Sequence, residues 1–90
     1  MDFSAALIEV KSGFKIQRDG WNGADQYVVI KSGYSSVPAN ESHALAHRVR
    51  VGELVSIAPY LEIKTSDDVC FPWTPSQGDL MANDWRIIEG

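Results

Sequence analysis

The sequence predicts a small α+β domain in which an antiparallel sheet carries short helices on one face. Three observations lead there. Short segments alternate apolar and polar side chains, as half-buried strands do; helical spacing with capping residues marks a segment near each end; and no repeat, low-complexity run or linker divides the 90 residues. A single domain spanning 1–90 follows, and each element can be justified in turn.

Asp2 or Ser4 can cap a first helix, where Phe3, Leu7 and Val10 recur at about helical spacing before Gly13 stops it. Phe14 to Arg18 alternates as a strand, Gly20-Trp21-Asn22-Gly23 makes a turn, and Gln26 to Lys31 is rich in β-branched and aromatic residues. This predicts a hairpin with an elaborated turn. Ser32 to Ala39 reads as a loop from its Gly, Tyr, Ser-Ser and Pro residues, and Asn40 then caps a short helix through His47. Val49 to Ile57 stays ambiguous, since Val-Arg-Val alternates like a strand and Gly52 interrupts it. Tyr60 to Lys64 and Val69 to Phe71 are strands joined by the polar turn Thr65-Ser66-Asp67-Asp68. Ser76 opens a last helix with Asp79 three residues on as a capping-box variant, Asn83 suits its stop, and Asp84 to Ile88 is a final strand with Trp85 and Ile87 on one face.

Composition narrows the class of function. Hydrophobic residues make up 44% and charged residues 22%, with a net charge of −4, which describes an ordinary soluble globular chain. An acidic chain is poorly suited to wrapping DNA or RNA, because cationic side chains supply most non-specific affinity for phosphates. A small anionic ligand needs only a local patch. One cysteine, Cys70, leaves no partner for an internal disulfide, and with no leader-like or long apolar run the expectation is a cytosolic protein off the membrane. A chain this small buries only roughly 60–65% of its unfolded surface, so self-association would help it.

The residues with chemical reach cluster in two stretches. Pro72 and Pro75 bracket Trp73 and fix the backbone on either side of it, while glycines flank Trp21-Asn22. Trp21 and Trp73 therefore read as turn-borne indoles, open between a stacking platform and a subunit contact. Trp85, on an alternating strand, reads as core. Asn22, Gly23, Gln77 and Asp79 supply amides, open backbone and a carboxylate suited to base edges and ribose hydroxyls, although local capping accounts equally for Asp79. Arg18 and Lys64 follow as nearby cations. His43, His47, Arg48 and Arg50 form the densest basic cluster and a possible second anion site; with no third ligand they give little support to zinc. No nucleophile elbow, P-loop or clustered acid pair appears, no cofactor is expected, and Cys70 in an apolar strand reads as inert core.

The order Phe3, Lys11, Gly13, Arg18, Gly20-Trp21-Asn22-Gly23, Tyr60-Leu61, Lys64, Pro72-Trp73, Ser76-Gln77, Asp79, Asp84-Trp85 resembles the phage Thoeris anti-defence sponges of the second type. The resemblance implies a homotetramer in the host cytoplasm that binds a cyclic ADP-ribose-type immune signal where subunits meet and holds it uncleaved, with cyclic dinucleotides as further ligands. It assigns the ligand first to Trp21, Asn22, Gly23, Trp73, Gln77 and Asp79. A nucleotide-processing hydrolase and a structural or regulatory phage protein without a nucleotide ligand remain the alternatives.

Overall fold

A computed structural model of the chain describes residues 1–21 and 25–89. Helix α1 (Phe3–Lys11) is capped by Asp2, whose carboxylate accepts from the Ala5 N–H at 2.9 Å, and Gly13 at φ 102° turns the chain away. Strands β1 (Lys15–Arg18) and β2 (Tyr27–Lys31) pair antiparallel as the predicted hairpin. Strands β5 (Tyr60–Lys64) and β6 (Cys70–Pro72) form the second hairpin. Helix α3 (Gln77–Met81) has Ser76 as N-cap with both bonds of the capping box to Asp79, and β7 (Trp85–Ile88) ends the body.

These strands make one antiparallel sheet in the order β6-β5-β2-β1-β7. Its register aligns Ile16 with Val28 and Ile87, and Val28 with Ile63, so one face is apolar. Helix α1 packs on that face through Ala6 and Val10, and with Ile16, Val28 and Trp85 they form the buried core. Burying each such valine or isoleucine contributes about 1.5–3 kcal/mol. Opposite them period two places Lys15, Gln17, Tyr27, Lys64 and Arg86, of which Arg86 is exposed, Gln17 buried and the others partly exposed.

Two expectations need correction. Residues 32–39 are not all loop: β3 (Tyr34–Pro38) pairs with β4 (Leu54–Ile57) in a separate two-stranded sheet, with a register shift between Tyr34 and Val37 and Ser36 at φ 52°. Helix α2 (Glu41–His47), capped by Asn40 as expected, lies between these strands in sequence, and its buried residue is Ala44. The helices thus do not all cover one sheet. Cys70 is the second correction, since it is exposed. Strand β6 is a sheet edge, which leaves Cys70 and Phe71 open to solvent.

Residues 34–57 form an arm beside the five-stranded body, and the molecule is elongated at 44 × 28 × 26 Å. At the neck of the arm Gly33 has φ 73°, and a Cβ there would collide with the Ile57 carbonyl oxygen.

Candidate functional site

Trp85 is the base of the site. Its side chain is fully enclosed, its Nε1–H donates to the Asp79 carbonyl at 2.9 Å, and Phe3 meets it edge-on with ring centres 5.4 Å apart. Trp21 and Trp73 stand against it at 5.3 and 5.9 Å, both near-perpendicular, and lie 6.3 Å from each other. Edge-to-face contacts of this kind contribute about 0.5–1.5 kcal/mol each beyond burial. The three indoles form one cluster, in which Trp85 is buried and the other two are half-buried.

The sequence positions each of the outer indoles. Trp21 follows β1 in a turn closed by its own N–H to the Arg18 carbonyl at 3.2 Å. Trp73 leaves β6 between two prolines, and its N–H still bonds the Leu61 carbonyl at 2.9 Å, so its backbone is held to the sheet. Each therefore has a fixed base and a partly open ring.

A clamp of charges flanks the cluster. Arg18 donates through Nε to Asp84 at 2.9 Å and through Nη1 to Asp79 at 3.0 Å. The other Asp84 oxygen accepts from the Gly20 N–H at 3.0 Å, and the other Asp79 oxygen accepts from the Ser76 N–H at 2.9 Å. One guanidinium thus joins β1, α3 and the residue preceding β7. Arg18 sits beside Asp84 first and Asp79 second, and both push its pKa up. Arg18 in turn holds the Asp84 carboxyl below the usual range. For Asp79, partial burial pushes the pKa up, but hydrogen bonds with Ser76 and Arg18 outweigh it and leave the group low.

The candidate residues divide as follows. Arg18, Trp21, Trp73 and Asp79 come together around Trp85, and Gln77 stands exposed on the first turn of α3 beside them. Asn22 and Gly23 lie outside the described residues. Lys64 is at the same end of the sheet on the opposite face, paired with Asp68 at 2.7 Å and 5.4 Å from the Tyr27 ring centre, and Asp68 is the main cause of its raised pKa. Asp84 and Phe3 complete the site, although sequence reasoning assigned neither a site role. Their signal was membership of the same motif order as Trp21 and Trp73.

The second basic cluster lies on the arm. His43 and His47 stack with centres 4.3 Å apart, as four-residue helical spacing predicts, and Arg48 ends α2 in the left-handed region. His43 also lines a cleft of about 270 Å³ with Tyr34, Val37, Pro38, Val55 and Ile57, whereas His47, Arg48 and Arg50 do not line it. Among the described residues no group of three or more His, Cys, Asp or Glu side chains could hold a metal ion. No helix among them is long and apolar enough to cross a membrane.

Comparison with known proteins gives two findings. Residues 1–88 match the family model described as the Thoeris anti-defense 2-like domain. The chain is also similar to Thoeris anti-defense 2 of Bacillus phage SP01, with 32% identity over 91 residues that cover 98% of this chain and 94% of that protein.

Proposed function

The chain belongs to the Thoeris anti-defense 2-like family, and from that premise we propose that it binds a cyclic nucleotide immune signal and withholds it, uncleaved, from the defence system. Family membership supports the phage anti-defence role. The observation that carries the ligand is the pair of half-buried indoles, Trp21 and Trp73, braced on Trp85 beside the Arg18 clamp. A planar base stacked on such a ring gains about 1–3 kcal/mol. Gln77 offers donor and acceptor to its edge, and Asn22 and Gly23 are proposed as further ligand-binding residues. Lys64, on the far face, serves an assembled pocket, and His43, His47, Arg48 and Arg50 remain the proposed second anion site.

Sequestration calls for tight ground-state binding and slow release, while catalysis needs groups that act in the transition state. Here Asp79 and Asp84, the acids of the clamp, are both engaged by Arg18, which favours holding a ligand over attacking it. The proposed ligands are cyclic ADP-ribose isomers, with cyclic dinucleotides second. They would be held in the host cytoplasm by a homotetramer whose pockets lie where subunits meet.

The test is calorimetry with a panel of both ligand classes, followed by chromatography of what heat-denatured protein releases. The expected result is near-stoichiometric uptake and return of the unchanged molecule. A hydrolysed product that exceeds the protein in amount would establish turnover, and no uptake of any panel member would favour a structural or regulatory role.

A further inference from the structure

Three consecutive residues lead from β1 to Trp21, and all three donate to Asp84. Arg18 reaches one carboxylate oxygen through Nε at 2.9 Å, the Gly20 N–H reaches the other at 3.0 Å, and the Asp19 N–H bonds the Asp84 carbonyl at 2.9 Å. Asp84 immediately precedes Trp85, so the residue that holds the approach to the outer indole is joined in sequence to the inner one. The fit is close. A Cβ at Gly20 would lie 3.0 Å from the same carboxylate oxygen, tighter than side chains normally pack. Arg18 carries the connection on to Asp79 at 3.0 Å, and Asp79 closes the capping box at the end of α3 where Gln77 stands. We propose that Asp84 is a positioning residue of the candidate site: through Gly20 it sets the Trp21 ring against Trp85, and through Arg18 it holds that ring in register with the first turn of α3.

Charge and geometry both separate this role from direct contact with an anion. Arg18 faces two carboxylates with one positive charge, so the clamp is negative as a whole and adds no attraction for a phosphate. Its planar fork is spent in two directions, through Nε and Nη1, which the point charge of a lysine would not reproduce. The other two indoles have anchors of their own. Trp85 is fixed by its ring N–H to the Asp79 carbonyl, and Trp73 by its backbone N–H to Leu61. Asp84 supplies the equivalent anchor for the segment that carries Trp21. A rigid planar ligand must meet a ring and an amide at the same time, so affinity depends on holding both in place before it arrives. The effect on affinity rests on the function proposed above, while the placement of Trp21 does not.

The test is near-UV circular dichroism of the unliganded full chain, with calorimetry against the cyclic ADP-ribose isomers, each variant being studied below its own denaturation midpoint. Asparagine has one acceptor oxygen, so Asp84→Asn leaves either Arg18 or Gly20 without its partner. Gly20→Ala keeps every charge and displaces the carboxylate by one methyl group, which gives a reading even if Asp84→Asn does not fold. Ser12→Ala, which removes a hydrogen bond at the far end of α1, is the control. Both site variants should change the spectrum of the packed indoles, and Asp84→Asn should weaken binding at least about tenfold, with Gly20→Ala losing less. Ser12→Ala should change neither. In a Trp21→Ala background, adding Asp84→Asn should cost less than about twofold more affinity, because the ring through which it acts is gone. Fully additive losses, or site variants with the spectrum and affinity of wild type, would overturn the assignment and leave the clamp a stabilising device alone. If wild type took up none of the isomers the proposed function would fail, and the spectra would still decide: a change in both site variants supports the placement of Trp21 by Asp84, and no change overturns it.

Discussion

The body and the arm draw on the same kinds of residue, and both leave some of them in solvent, but only the body encloses large ones. In the body, Ile16, Val28 and Trp85 are enclosed between a sheet and a helix; in the arm, Tyr34, Leu45 and Leu54 face outward and alanines lie inside. The body is thus held by burial, whereas the arm is held by ribbon hydrogen bonds and the Asn40 cap. An apolar content of 44% therefore says little about where the core is. Partition between the two regions decides it.

The largest effect that would break this comparison is at Trp85. Trp85→Ala should lower stability by about 3–5 kcal/mol, read from denaturant midpoints, because it removes the floor of the aromatic cluster. A loss below about 1 kcal/mol would mean that the body is not organised around this ring. Trp73→Ala should come next, with about 1–3 kcal/mol lost from nucleotide affinity in calorimetry. It should also cost some stability, but less than Trp85→Ala, since its ring is half-buried against Phe3, Trp21 and Trp85. Equal midpoints for the two variants would erase the distinction between rim and floor.

Acid sharpens the comparison further. Asp79 and Asp84 have pKa values held low in the folded state, so between those values and the unfolded value near 3.9 the unfolded chain binds more protons. The clamp's stabilisation is therefore complete above about pH 5 and is lost as pH falls through the folded values. Denaturant midpoints measured across that range should drop for wild type and drop less for Asp84→Asn; identical acid limbs would show that the clamp contributes little. The smallest effect is expected in the arm. Asn40→Ala removes the acceptor of the His43 N–H, 2.8 Å away, and should weaken α2 by about 1 kcal/mol. Faster exchange should then be confined to the amides of α2, and a matching fall in the global midpoint would show that arm and body unfold as one.

What the sequence made legible follows the same partition. Body strands β1, β2, β5 and β7 were readable because one face is buried, so their side chains must alternate, and α1 and α3 announced themselves through Asp2, Gly13 and Ser76. Strand β3 was not readable, because a ribbon with both faces largely open imposes no alternation on Ser35, Ser36 and Val37. Cys70 was misplaced because composition marks a strand as apolar without saying that it lies at an edge. In the site, Asp79 as a capping residue was visible within four positions of Ser76. Its pairing with Arg18 spans 61 residues and depends on β1 and β7 becoming neighbours, which no local pattern encodes.

That adjacency of β1 and β7 also governs how the chain reaches its fold. The arm's pairings close over short stretches of sequence, but the Arg18–Asp84 bond must close a separation of 66 residues, and the loop-closure entropy comes before the burial of Trp85 repays it. Local hairpins can form early without a floor to pack on. Commitment to the native state then coincides with docking of β7, so folding should be slow relative to hairpin formation, and destabilising changes at Trp85 should act on the folding rate as much as on the rate of unfolding.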